Sequence, residues 1–256
     1  MDANDPGQPL TPASGDISIN LAVPASALAI GAHPDDVEFG CGATLAKWAA
    51  EGCVIHHLVC TDGSKGTWDP TADLNALVAQ RQHEQREAAQ RVAGDHAGEV
   101  IFLNRVDGEL SADRETIRDV VAQIRRLRPQ VVLGHDPWKR YRLHPDHRHA
   151  GEIVVEAIVA ARDPHFFTDL NLAPHRPETL LLWEADTVHH LEDVTAWVET
   201  KIDALAAHVS QHESTMGAAN NAQFATFAKT IRDRLAAIGL PHGCGAAEAF
   251  ARIDSI

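Results

Sequence analysis

The chain has 256 residues, enough for a sizeable buried core and too many for a disulfide-stapled miniprotein. Its 22 Lys and Arg against 36 Asp and Glu give a net charge of -14, which repels phosphate backbones and anionic lipid. No apolar run approaches the ~20 residues of a membrane-spanning helix, so neither nucleic acid nor a membrane is an expected partner.

Residues 1–24, with Pro, Gly and Asp but no basic start or apolar stretch, read as a flexible N-terminal tail on a cytoplasmic protein, and residues 25–256 as the folded domain. The apolar run at 27–32 is too short for a helix and lacks alternation, as expected of a strand buried on both faces; it ends at His33-Pro34. After a Gly-rich turn, residues 43–51 carry Leu45, Trp48 and Ala49 at helical spacing, with Gly52 as the stop. A strand over 53–61, a helix over 71–92 and a third strand over 99–104, closed by Asp107-Gly108, follow. A helix over 112–127 shows Ile117, Val120, Val121 and Ile124 on one face, and Pro129 ends it before a fourth strand over 130–133. Beyond His144-Pro145 the pattern predicts a helix to about Arg162, a Pro-broken loop through Pro177, a strand over 179–183, and helices over 193–208 and 220–239. This alternation predicts a single three-layer α/β/α, Rossmann-like domain with a mostly parallel sheet, its later elements covering one end of the sheet.

In open parallel sheets the ligand crevice lies outside the carboxyl ends of the strands. The polar clusters fall at those ends: His33, Asp35, Asp36 and Glu38 after the first strand, Thr61 and Asp62 after the second, Asp107 after the third, and His135, Asp136, His144, Asp146 and His147 after the fourth. Two motifs stand out, His33-Pro34-Asp35-Asp36 and His144-Pro145-Asp146-His147. Each sets two metal-ligating side chains three apart, so that one tight turn aims both inward while Pro stiffens the loop. Two imidazoles and one carboxylate suit a borderline divalent ion and leave positions open for water and substrate. With His33, Asp36 and His147 as ligands, Asp35 and His144 remain beside the ion as a carboxylate base and an imidazole. Asp146 is placed to accept a hydrogen bond from His144 and raise its pKa, or to cap the following helix. Arg140 and Arg142 form a basic exception in an acidic chain, suited to a phosphate or carboxylate on a substrate.

The runs Ala32-His33-Pro34-Asp35-Asp36-Val37-Glu38, Gly40-Cys41-Gly42-Ala43-Thr44-Leu45 and Leu143-His144-Pro145-Asp146-His147 resemble the PIG-L or LmbE-like family of zinc-dependent deacetylases. Further stretches agree in order and spacing: Cys60-Thr61-Asp62-Gly63 with Gly66, Arg81 and Glu84, Asp107-Gly108, His135-Asp136-Pro137, His208-Val209-Ser210-Gln211 and Ala247-Glu248-Ala249-Phe250. The resemblance covers nearly the whole chain after residue 26. It implies hydrolysis of an N-acyl group, usually acetyl, from an amino sugar or related amine, with one Zn2+ per chain and other divalent metals as alternatives. By similarity His33, Asp36 and His147 carry the metal, Asp35 is the general base and His144 assists at the oxyanion or as an acid. Arg81 matches a family position that helps hold substrate; Asp62, Asp107 and Arg142 are the further residues expected to bind it. The implied partner is a small amino sugar or conjugate, and homo-oligomer formation is left open.

Rival functions have recognisable weaknesses. Gly40-x-Gly42 imitates a dinucleotide fingerprint, but the third Gly is missing and Asp35, Asp36 and Glu38 crowd negative charge where a pyrophosphate must sit. The same two His and one carboxylate suit ferrous iron in an oxygenase, and an amidase acting on a thiol conjugate shares the ligand set. A non-catalytic metal or carbohydrate module needs no spare carboxylate such as Asp35. The four cysteines, Cys41, Cys53, Cys60 and Cys244, form no C-x-x-C pair and are expected as reduced thiols. The pairs His56-His57 and His189-His190 are expected to be structural or surface residues, and His208 and His212 to serve packing or polar support at the pocket rim.

Overall fold

The computed structural model describes residues 11–12 and 17–256. Strands β1 (Thr11–Pro12) and β2 (Ser18–Ile19) precede β3 (Ser26–Gly31), whose alternate residues enter two different cores. Leu28 and Ile30 face one side, and Ala27 and Ala29 the other. That is why the run is apolar without alternation: both faces are covered. Helix α1 (Asp36–Ala50), β4 (Val54–Thr61), α2 (Leu74–Ala93), β5 (Ala97–Arg105), α3 (Arg114–Leu127), β6 (Val131–His135), α4 (Pro145–Arg162) and β7 (Thr179–Trp183) continue the alternation. The helix starts are chemically marked. Asp73 accepts from the N–H groups of Asn75 and Ala76, Asp113 from that of Thr116, and Pro145 opens α4.

The chain ends with β8 (Thr187–Val188), β9 (His190–Asp193), α5 (Val198–Ala206), α6 (Asn221–Gly239) and β10 (Ala247–Asp254). The main sheet has the order β2-β9-β10-β7-β6-β3-β4-β5, while β1 pairs with β8 separately. Its β5-β4-β3-β6-β7 block is parallel throughout. Helices α1, α2 and α5 pack together on one face and α3 with α4 on the other, which gives the expected three layers. Because β3 is flanked by β4 on one side and β6 on the other, the crossovers diverge between β3 and β6, and a crevice opens at their carboxyl ends.

The later elements depart from expectation. They extend the sheet as well as cover it: β10 runs antiparallel to both β7 and β9. The expected helix over 193–208 is shortened to α5 because residues 190–193 are drawn into β9. Part of the expected tail is likewise held, since β2 runs parallel to β9 and the Leu21 N–H donates to Glu192 at 2.8 Å. Residues 1–10 and 13–16 of that segment lie outside the described residues.

Helix α1 begins seven residues before the expected start at residue 43 and is broken at Cys41 (φ -148°, ψ 16°). The break is filled by a buried ion pair. Glu248 accepts the N–H groups of Ala43 (3.2 Å) and Thr44 (2.7 Å), while Lys201 donates to the Phe39 carbonyl (2.8 Å) and to Glu248 (2.5 Å). Carboxylate and ammonium thus satisfy the polar backbone that a broken helix exposes. Glu248→Ala strands a buried ammonium and two N–H groups, so urea unfolding should show a loss of ~3–5 kcal/mol. Replacing both partners by apolar residues should cost less than that single change.

Candidate metal centre and active site

Strand β3 ends at Gly31, where a Cβ would meet that of Asp36 at 2.9 Å; glycine lets the next turn fold back tightly. In that turn the His33 N–H donates to Asp36 Oδ2 at 2.7 Å. Asp35 follows in the left-handed region, at φ 104° and ψ -26°, a conformation that costs energy without glycine. Two buried side chains hold it there. Gln85 accepts the Asp35 N–H at 2.9 Å, and Arg81 donates to the carbonyls of Pro34 (2.6 Å) and Gly63 (2.8 Å). The second motif arrives on the first turn of α4, and Gly151 brings that helix against β6, since a Cβ there would stand 2.5 Å from the His135 carbonyl oxygen.

The two motifs meet around the Asp36 carboxylate. Its Oδ2 is 3.3 Å from His33 Nδ1 and its Oδ1 is 3.3 Å from His147 Nε2. His144 stacks on His147 with ring centroids 4.8 Å apart and sits exposed at the mouth. Three overlapping groups of metal-ligating atoms result: His33, His144 and His147; Asp36, His135 and His147; His33, Asp107 and Asp146. His33 carries the clearest sign of a ligand. Its Nε2 lies 3.1 Å from Asp107 and 3.2 Å from Asp146, which leaves Nδ1 beside Asp36; ligating imidazoles hand their other N–H to a carboxylate in this way.

The electrostatics agree with that donor set. Burial pulls the His33 imidazole down, and its bonds to Asp107, Asp146 and Asp36 outweigh this, leaving it well above its ordinary value. Positive charge is therefore favoured at this spot, and a divalent cation answers the same surplus of carboxylates. Burial lowers His147 to about 3, the neutral form that ligation requires, and burial with the nearby His33 lowers His144. Burial raises the Asp35 carboxyl and Arg81 opposes it, with a net rise to about 6. At Asp36 the charges of His147 and His135 outweigh burial and hold the carboxyl well below its usual range.

Four residues expected to act at the site are engaged with other partners. Asp146 does not bond to His144: it accepts from the N–H groups of Gly108 (2.6 Å) and Leu110 (3.3 Å) and faces His33, because its place on the first turn of α4 points it into the loop after β5. Asp62 uses Oδ1 on the N–H groups of Ser64 and Asp107, tying two strand-end loops together. Arg81 is 3% exposed and is occupied with main-chain carbonyls beneath the loops, 3.6 Å from Asp35. Arg142 is not free for an anion either; it donates to His135 Nδ1 at 3.0 Å and pairs with Glu184 at 3.0 Å.

Sequence reasoning placed His135 at a strand end without giving it a role. In the structure it is fully buried and stacked on His147 at 4.5 Å, and its Nε2 stands 3.2 Å from Asp36. Its Nδ1 faces two donors, Trp183 Nε1 (3.0 Å) and Arg142, so that nitrogen accepts. Glu184 was missed altogether, although it too follows the carboxyl end of a parallel strand. A further buried network lies behind Asp35. Glu38 is 3.2 Å from His208 and accepts from Gln85 at 2.8 Å, and Gln85 also bonds to His57. His57 and His190 are fully buried, and all four cysteines are free and buried.

Known proteins are similar to this chain in sequence and fold. The PIG-L: GlcNAc-PI de-N-acetylase family matches residues 28–158, a span that holds both motifs. Diacetylchitobiose deacetylase from Thermococcus kodakarensis is 35% identical over 187 residues, 72% of this chain and 69% of that protein. The 1D-myo-inositol 2-acetamido-2-deoxy-alpha-D-glucopyranoside deacetylase of Streptomyces griseus is 33% identical over 58% of this chain, which spans 52% of that relative. The solved N,N'-diacetylchitobiose deacetylase from Pyrococcus horikoshii superposes with a TM-score of 0.81 at 27% identity, covering 90% of this chain and 84% of that one. Both in its two converging His/Asp motifs and in sequence, this chain belongs to the PIG-L, GlcNAc-PI de-N-acetylase family.

Proposed function

We propose that the chain is a metal-dependent hydrolase that removes an N-acetyl group from an amino sugar or amino-sugar conjugate. The observation that carries this is the convergence of His33 and His147 on the Asp36 carboxylate, with Asp35 and His144 left beside them. The names of the relatives support the same chemistry on amino sugars. The donor set fits one divalent ion, and Zn2+ is the ion suited to two imidazoles and a carboxylate. When bound, such an ion polarises the amide carbonyl and acidifies water to a pKa of roughly 7.

The remaining work falls to side chains. Asp35 takes the proton of the attacking water and delivers it to the leaving nitrogen, which departs badly as an unprotonated amine. Its backbone is held by Gln85 and Arg81, so the carboxylate meets the substrate already oriented. His144, a neutral imidazole at the mouth, donates an N–H to the developing oxyanion. Asp146 and Asp107 keep the His33 ring turned so that Nδ1 faces the ligand position.

Primary-amine release from N-acetylglucosamine and its glycosyl and inositol conjugates tests this directly, with zinc-loaded and chelated protein side by side. Asp35→Asn should lower kcat by ~10²–10⁴-fold while zinc still binds at one per chain by calorimetry. His147→Ala should lose the zinc. Loss of metal in Asp35→Asn would refute the division of roles. Gln85→Met removes the acceptor of the Asp35 N–H without touching a ligand; kcat should fall roughly 10- to 100-fold at unchanged zinc affinity and nearly unchanged KM.

A further inference from the structure

The segment after α5 is anchored to α1 and α2. Ser210 gives its N–H (2.9 Å) and its hydroxyl (2.6 Å) to the Glu84 carboxylate, and His208 Nε2 stands 3.2 Å from Glu38. The next residue, Gln211, is 1% exposed. Its Nε2 donates to the Gly66 carbonyl at 3.0 Å, and the Ser214 hydroxyl donates to the same oxygen at 3.1 Å. A carbonyl only accepts, so the amide nitrogen faces it, while Oε1 takes the Thr215 hydroxyl at 3.0 Å. Gly66 lies in the loop after β4, where its N–H bonds to the Gly63 carbonyl at 3.2 Å. No Cβ fits there: it would overlap Arg81 Nη1 and stand 2.9 Å from Gln211 Oε1. The loop over 63–66 is therefore gripped between an arginine of α2 and a glutamine 145 residues beyond Gly66.

What the gripped loop carries is the main chain of Lys65. That N–H donates to Asp107 Oδ2 at 2.9 Å, and Asp107 Oδ1 lies 3.1 Å from His33 Nε2. A continuous line of contacts thus runs from Gln211 through Gly66, the Lys65 N–H and Asp107 to the His33 ring. The Lys65 side chain adds little to it, because its pair with Glu109 at 3.1 Å is exposed on both sides. Arg81 secures the Gly63 end of the loop, and its bond to the Pro34 carbonyl joins that end to the turn carrying Asp35. Among the described residues, the side chains that hydrogen-bond the end next to Lys65 are Gln211 and Ser214.

We propose that Gln211, seconded by Ser214, is a positioning residue for the metal centre. It holds Gly66 so that the Lys65 N–H stays on Asp107, and Asp107 in turn keeps the His33 ring with Nδ1 toward Asp36. This rests on the metal-dependent reading and deepens it: a segment beyond the matched residues 28–158 acquires a share in the affinity of the site for its ion. Removing the hydrogen-bond partner of a ligating imidazole typically weakens metal binding about 10- to 100-fold, and Gln211 acts one link further out, so its effect is smaller.

Zinc affinity measured by competition with a chelator tests this. Gln211→Met should weaken binding about three- to tenfold, and Asp107→Ala about 10- to 100-fold. The double variant should bind no more weakly than Asp107→Ala alone, since the glutamine acts through that carboxylate. Ser214→Ala, a smaller change, should shift the affinity in the same direction by about twofold. Ile124→Val, a truncation in the core beneath α3, should lower stability in urea and leave zinc affinity within about twofold of the wild type. In the metal-free protein, amide exchange at Lys65 should quicken about tenfold in Gln211→Met and keep its wild-type rate in Ile124→Val. Unchanged zinc affinity in Gln211→Met, effects that add in the double variant, or an unmoved Lys65 amide would overturn the proposal. A wild type that binds no zinc, with Lys65 exchange still quickened in Gln211→Met, would instead refute the metal reading and leave the positioning of Asp107 standing.

Discussion

The structure is organised around one buried carboxylate. Asp36 is 3% exposed and has three imidazoles within 3.3 Å, those of His33, His135 and His147. A lone carboxylate in such a place would be very costly, so it exists only where cationic or proton-donating groups are brought to it. Those groups come from the end of β3, the end of β6 and the start of α4. The parallel order around β3 is what allows them to meet, because the strands of the two motifs are neighbours at the point where the crossovers part. Gly31 and Gly151 then remove the Cβ atoms that would hold the turn and the helix apart.

Behind this cluster, buried polar residues act as connectors. Glu38, Gln85, His57 and His208 join α1, α2, β4 and the segment after α5, and their last bond reaches the Asp35 N–H. Glu84 does the same for the segment beside His208, taking both the N–H and the hydroxyl of Ser210. Such networks add little net stability, since each bond replaces one to water, but an unsatisfied member is expensive. Their effect is to admit a single arrangement of the loops. A strained residue such as Asp35 persists only where its surroundings determine it so fully.

The central alternation of strands and helices was legible because burial on both faces leaves an unmistakable apolar run, and because Asp73, Asp113 and Pro145 mark helix starts. The two motifs were legible for a related reason: ligand spacing survives in sequence when both ligands lie on one turn. What was hidden involves partners far apart in the chain. The ends of β9 and β10 pair residues some sixty apart, and short strands with polar residues carry no period long enough to read. Asp146 looked like a partner for its neighbour His144, yet helix geometry turns it toward His33, more than a hundred residues away. Arg142 looked like an anion site because Glu184, forty-two positions on, could not be placed beside it.

That last pairing bears on how an acidic protein handles charge at its working surface. With a net charge of -14 the chain has few cations to spare, and Arg140 and Arg142 near the crevice are paired with Asp186 and Glu184. The demand for positive charge at the floor comes chiefly from Asp36, Asp107 and Asp146 around His33. A compact divalent ion would suit that demand. At the rim the loop after β6 carries the paired Arg140 and Arg142 beside the exposed Trp138 and Tyr141. The division follows from Coulomb energy and solvation: buried charges persist only where partners are fixed around them, whereas the exposed charges of the rim are kept by water and gain little from pairing.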